Sequence, residues 1–246
     1  MISRFQTRRA FSPVAGLFVL AGLLASLAPR PAAAQDITGY KPENSPYRDV
    51  ESPNELSIFT GYLFTSKDLA GVQPQNAPVL GLRELVHLSG PAIFYARVTH
   101  AFSQRTVLNP TVPAAFRDQG TQTAGLTMLD VNLGLNFTGD RSWHNLMPYF
   151  GLGPALVSDL GATRDVGGYH FGTTFAATYG GGFRWVPPGR FSAHLDMNGY
   201  LWPYHYPTTY HTLTIDGTRV IAANSHLSGW RSNGLLTLGI SYSLFH

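Results

Sequence analysis

Apolar and polar residues alternate along this chain with a period of two, in segments of about ten residues. In 129–137, Leu129, Val131, Leu133, Leu135 and Phe137 alternate with Asp130, Asn132, Gly134 and Asn136. In 174–185, Phe175, Tyr179, Phe183 and Trp185 alternate with Thr174, Thr178, Gly182 and Arg184. Ala193, Leu195, Met197 and Leu201 interleave with Ser192, His194, Asp196 and Asn198. Leu236, Leu238, Ile240, Tyr242 and Leu244 interleave with Thr237, Gly239, Ser241 and Ser243. Strand side chains flip face at every residue, so each segment has one apolar face and one polar or small face. Four weaker candidates, 55–64, 79–88, 92–104 and 146–158, complete a set of eight. Their faces are ambiguous: in 79–88, Arg83 and Glu84 are adjacent and cannot share one. Beyond residue 34 there is neither a sustained helical period nor an apolar run of transmembrane-helix length.

Alternation alone fits a soluble sandwich as well as a membrane barrel. Connection lengths separate them. Ser89-Gly90-Pro91, 139–145 and 187–190 are short, whereas 65–78, 109–122, 159–172 and 203–231 are long. Short turns at one end and long loops at the other characterise outer-membrane barrels. Ten residues at about 3.3 Å each, tilted by about 40°, rise roughly 25 Å, the height of the apolar band. Aromatics gather at strand ends: Trp143 and Trp185 at the short-turn level, and Tyr62, Phe64, Phe102 and Trp202 at the long-loop level. They are read as two interfacial girdles. The expected fold class is all-β, an eight-stranded antiparallel up-and-down transmembrane β-barrel.

In such a barrel the apolar faces meet lipid and the polar faces line the lumen. Arg83, Arg97, Asp130, Arg184, His194 and Asp196 are the candidate lumenal polar network. Buried charges need partners, so Arg–Asp pairs are expected across the lumen. Eight strands leave an interior just wide enough for side chains, with Gly134, Gly180, Gly182 and Gly239 making room. A plugged lumen is expected before an open pore.

Composition adds little until the charges are located. The 246 residues hold no Cys, which excludes a disulfide scaffold, a thiolate metal site and a cysteine nucleophile. The formal charge of +3 comes with Arg4, Arg8, Arg9 and Arg30, all inside the first 34 residues, where no acid occurs. The remainder is close to neutral, so a nucleic-acid partner is not expected. Arg4, Arg8 and Arg9, the apolar stretch 14–28 and the small residues Ala32-Ala33-Ala34 form a signal-peptide pattern with cleavage before Gln35. An uncleaved anchor and a twin-arginine signal are the lesser readings. The expected organisation is a signal peptide at 1–34, a flexible periplasmic segment at 35–54 and a barrel at 55–246, placed in the bacterial outer membrane.

Several strand motifs carry a resemblance. They are Ser57-Ile58-Phe59-Thr60-Gly61-Tyr62, the turn Leu88-Ser89-Gly90-Pro91, Met147-Pro148-Tyr149-Phe150-Gly151-Leu152-Gly153 and Gly180-Gly181-Gly182-Phe183-Arg184-Trp185. Over roughly 55–246 the chain resembles the small eight-stranded outer-membrane barrels of the OmpA/OmpX-like type. That resemblance implies a C-terminal assembly signal, here Leu238, Ile240, Tyr242, Leu244, Phe245 and His246, read by the barrel-assembly machinery. Such signals usually end in Phe, and here His246 follows Phe245. A wall-binding domain of the OmpA type is not expected.

Candidate chemistry is sparse. Barrels that deacylate lipid A carry a His-x-Ser-Asn run; here His194-Leu195-Asp196-Met197-Asn198 lacks the serine and His226-Leu227-Ser228 lies in a loop. Ser192, His194 and Asp196 share a face, but nearly 7 Å per step along a strand makes a row rather than a relay. His170, His205, His211 and His226 sit in or beside long loops without tight ligand spacing, and Tyr204-His205-Tyr206 is placed at the headgroup interface. No catalytic residue, metal or cofactor is expected. Thr212-Leu213-Thr214-Ile215, Asp216-Gly217 and Thr218-Arg219-Val220-Ile221 predict a ribbon that extends the last two strands and offers an edge to a partner. The expected role is structural or surface-interactive: membrane integrity, adhesion or partner binding through loops 109–122 and 203–231, amid outer-membrane lipids and lipopolysaccharide. The alternatives are a lipid A deacylase-like enzyme and a narrow small-solute channel.

Overall fold

A computed structural model describes residues 45–50, 54–160 and 164–244. The expected leader at 1–34 and the last two residues of the expected assembly signal, Phe245 and His246, lie outside these. Twelve strands occur among the described residues: β1 Tyr47–Asp49, β2 Asn54–Phe64, β3 Ala77–Ser89, β4 Ala92–Ala101, β5 Gln104–Leu108, β6 Asp118–Thr123, β7 Leu126–Asn136, β8 Arg141–Trp143, β9 Leu146–Ser158, β10 Thr173–Trp185, β11 Phe191–His205 and β12 Ser228–Ser243. Eight of them, β2, β3, β4, β7, β9, β10, β11 and β12, pair antiparallel in that order, and β12 pairs back onto β2. The sheet therefore closes, which leaves no long edge to satisfy in lipid.

The period of two decides which side of the wall each residue takes. On β12, Leu236, Leu238, Ile240 and Tyr242 are exposed while Leu235, Thr237, Gly239, Ser241 and Ser243 turn inward. On β7, Leu133 and Leu135 are exposed and Asp130, Asn132 and Asn136 are buried. The inside-out order of a transmembrane barrel results: leucine, isoleucine and phenylalanine outside, arginine and aspartate within. Thirteen residues of β9 at about 3.3 Å and about 40° tilt rise roughly 33 Å, enough to cross a hydrocarbon core. The ambiguous strand β3 resolves with Ala77, Val79, Gly81, Arg83 and Leu85 inward, which sends Glu84 outward between Leu82 and Val86.

Two glycines show how crowded the lumen is. A Cβ on Gly81 would come within 2.3 Å of the Phe59 ring, and one on Gly239 within 2.4 Å of His194 Cε1. Each inward ring is accommodated by an absent side chain across the wall.

Both barrel ends depart from the expected pattern. Of the segment 35–54, expected to be flexible, 35–44 and 51–53 lie outside the described residues; within the rest β1 pairs with β8, with Tyr47 opposite Trp143, and Arg48 reaches the carbonyl of Val186. Backbone pairing across the short-turn end, plus the Arg141–Asp49 ion pair at 3.0 Å, gives Tyr47–Asp49 a fixed place. At the other end, the ribbon expected over 212–221 does not form. Asp216-Gly217 does make a turn, but a short 3-10 helix at Thr208–His211 precedes it and no strands flank it. The loop hairpin is instead β5–β6, whose strands flank and enter the long loop expected at 109–122.

Candidate functional site: the lumen and the loop cap

The expected lumenal residues all turn inward; two ion pairs join them to one another, and a third joins Arg184 to Glu55. From β3, Arg83 Nη1 donates to Asp196 Oδ2 on β11 at 2.9 Å and to the Tyr149 hydroxyl at 2.8 Å. The Tyr149 hydroxyl donates in turn to Asp196 Oδ1 at 2.6 Å. On adjacent strands, Arg97 Nε donates to Asp130 Oδ1 at 2.8 Å, and Tyr200 donates to Asp130 Oδ2 at 2.6 Å. Nearer the short turns, Arg184 pairs with Glu55, and its Nη1 lies 3.0 Å from His87 Nε2. Three cations thus meet three anions, all nearly inaccessible to solvent. Charges this deep persist only when paired and hydrogen-bonded.

Sequence reasoning missed Glu55, Tyr149, Tyr200 and His87. Glu55 shares the inward parity of Ser57, Phe59 and Gly61, so the start of β2 carried a readable signal. The tyrosines look like lipid-facing aromatics until the strand phase is known. Phase also corrects Trp202. It was expected in the interfacial girdle, but it shares parity with His194, Asp196 and Tyr200 and is only 1% exposed. Trp202 packs edge-on against Phe171 and joins Leu63, Val79, Leu126, Met128, Val157 and Leu235 in an apolar layer across the long-loop end of the lumen. Tyr62, Phe64, Trp143 and Trp185 do lie on the outer surface, as do Leu238, Ile240, Tyr242 and Leu244 of the expected assembly signal.

Ser192, His194 and Asp196 form no relay. Ser192 donates to Glu55 at 3.2 Å, and Asp196 is held by Arg83 and Tyr149. A different serine approaches His194: Ser241 Oγ lies 3.3 Å from Nδ1, while Nε2 lies 3.6 Å from Asp196 Oδ2. Ser241 also accepts from Ser57 at 2.7 Å, and both serines are buried. The set lies inside the packed lumen, facing away from the lipid-exposed surface. Among the described residues, no three His, Asp or Glu side chains gather as metal ligands.

Above the barrel the long loops are tied into a cap. The 102–125 connection reaches 206–227 through Arg117, which donates to the carbonyl of Arg219 at 2.8 Å and to the Thr214 hydroxyl at 2.9 Å. Asp216 answers by accepting the Ala114 N–H at 2.7 Å. The hydrogen bond from Thr214, then that from Ala114, holds the Asp216 carboxyl below its ordinary range. Gln75 N–H donates to Gln104 O at 2.8 Å, and Thr209 Oγ1 to Gly167 O at 2.8 Å, linking the other two loops. Val72, Tyr169, Tyr206, Tyr210 and Ile221 pack beneath, so Tyr206 is buried rather than at the headgroup surface.

Arg105 forms a two-pronged pair with Asp165 and lies 5.4 Å from the centre of the Tyr169 ring. Burial works against the Arg105 charge, and the Asp165 hydrogen bond overrides it, raising its pKa. Burial, and next the charge of Asp68, push Tyr169 and Tyr206 above the ordinary tyrosine value. Burial and Asp165 do the same for Tyr210. The cap leaves Phe116, Leu213 and Ile215 exposed beside the Arg117–Asp216 staple, and Ile215 is 95% exposed.

No family model and no curated protein matches this sequence. Among solved structures, the chain is similar to Neisserial surface protein A (NspA), at 12% identity and a TM-score of 0.45, over 81% of this chain and 98% of that one. It is also similar to the N-terminal β-barrel domain of Pseudomonas aeruginosa OprF, at 11% identity and 0.44, over 78% and 97%. The outer membrane protein OprG from Pseudomonas aeruginosa gives 13% and 0.41, over 78% and 96%.

Proposed function

We propose that this chain is a bacterial outer-membrane protein, exported through a cleavable signal peptide, whose barrel anchors a rigid loop cap that binds a protein partner outside the cell. The supporting observation is the staple between the two longest connections. Arg117 and Asp216 fix the surfaces that carry Phe116, Leu213 and Ile215 in the open. Exposed apolar side chains on an ordered, hydrogen-bonded scaffold are what a protein interface requires, since little ordering entropy then opposes binding. The lumen acts as a static plug, and no catalysis is assigned to it.

Expression in a non-adherent Gram-negative host tests this. The chain should fractionate with the outer membrane, confer attachment or cell–cell association, and lose it when Phe116→Asp and Ile215→Asp are combined. Unheated gel mobility should stay that of the folded barrel in both forms. Equal attachment by wild type and double variant would overturn the assignment to this surface. A lipid A mass shift on expression, abolished by His194→Ala, would replace it with an enzymatic role.

A further inference from the structure

The wall of the barrel opens sideways between β10 and β11. Their paired register runs from Trp185–Ala193 to Ala177–Leu201 and stops. Yet β10 continues to Thr173 against β9, and β11 continues to His205 against β12. The cause is readable in the ladder. Gly172 O accepts from Asp159 N on the β9 side, and Tyr206 N donates to Leu227 O on the β12 side. Backbone groups alternate sides along a strand, so Phe175 and Pro203 face one another across the β10–β11 gap. Theirs would be the next hydrogen-bonded pair, and proline has no N–H to give.

A cavity of about 500 Å³ fills the gap. Its lining includes Thr173, Pro203 and His205, which point outward, and Tyr204, which points inward, so it draws on both faces of the wall. The cavity lies at the long-loop rim, where headgroups stand if the barrel sits in an outer membrane as proposed above. Arg164, His170 and His205 supply basic groups to it, and among the described residues no carboxylate lines it. Arg231 stands behind, 4.8 Å from the centre of the Tyr204 ring. The nearby acids are engaged elsewhere, Asp68 with the Tyr206 hydroxyl at 2.8 Å and Asp165 with Arg105. Phe171 and the two prolines Pro203 and Pro207 give the same cavity apolar walls.

We propose that this lateral cleft binds the phosphorylated headgroup of an outer-leaflet lipid, which enters from the membrane plane. The threonine hydroxyls and basic side chains take the phosphate oxygens, and the aromatic and proline walls take the adjoining apolar part. Pro203 keeps the seam open.

The test is native mass spectrometry of the refolded barrel in neutral detergent, with added bis-phosphorylated lipid A as probe. Wild type should retain one lipid, and inorganic phosphate or the dephosphorylated glycolipid should not compete for it. Combined Arg164→Gln and His205→Gln should weaken retention about tenfold or more, the loss expected for charge-assisted hydrogen bonds. Pro203→Val, which restores the N–H to the ladder, should weaken it as well. Equal retention by all three proteins would overturn the proposal, as would displacement by inorganic phosphate alone. Gel mobility of the same unheated samples reports whether each barrel is folded, which separates failure of this site from failure of the membrane reading.

Discussion

Arg97 and Asp130 are direct cross-strand partners on β4 and β7, with Nε 2.8 Å from Oδ1 and both side chains sealed inside the barrel. Such a pair stabilises little by itself, because desolvating two charges offsets most of their attraction. Removing one member is another matter. Asp130→Asn should cost about 3–5 kcal/mol, because it strands a buried guanidinium. The double change Arg97→Met with Asp130→Leu should fall within about 2 kcal/mol of wild type. Urea midpoints of the barrel refolded into lipid vesicles measure both; similar losses in the single and double variants would contradict this.

Glu84 presents the opposite case, a carboxylate on the outer face with Leu82 and Val86 along its strand and Leu56 and Ala96 across it. A lipid-facing charge in the apolar band opposes insertion, and acids less so than bases. Glu84→Leu should therefore stabilise the inserted barrel, by up to about 2 kcal/mol. A lower urea midpoint for the leucine variant would show that the carboxylate has a favourable partner.

The eight wall strands were legible because alternation is a local property of sequence, and Leu236 to Ser243 displays it without interruption. Charge placement was legible for the same reason: once the face is known, Arg184 and Asp196 must point inward. What sequence could not supply was phase beyond the clearest stretch and pairing across the lumen. Trp202 looked interfacial because aromatics at strand ends usually are, and only its parity with Asp196 shows otherwise. Asp216-Gly217 looked like a ribbon turn because its flanks are β-branched. Arg117, far away in sequence, draws Thr214 and Thr218 into side-chain bonds instead, a tertiary override that local propensity does not contain.

The staple should respond to acid. Because the folded Asp216 carboxyl is held below its ordinary range, its contribution is complete above the unfolded carboxylate pKa of about 4. It disappears as pH falls through the lower folded value. Hydrogen exchange at the Ala114 amide should be slow at neutral pH and should quicken in Asp216→Asn at that same pH. Unchanged protection in the variant would remove Asp216 from the staple.

Base should loosen the cap from the other side. Tyr206 and Tyr210 are raised above the ordinary tyrosine pKa of about 10, so the neutral rings favour the packed loops. That contribution is whole below about pH 10 and is lost as pH climbs through the raised folded values. Ultraviolet titration should show a late-ionising phase that shrinks in Tyr206→Phe. A single ordinary phase in wild type would contradict the buried cluster.

A closed barrel sets lipid outside and paired charge within. Refolding into phospholipid vesicles, followed by gel migration with and without heating, puts this to the test. The inserted protein should run at a different apparent mass unheated than boiled, with the barrel region protected from trypsin. A chain that stays soluble without lipid or detergent and migrates identically in both lanes would contradict it.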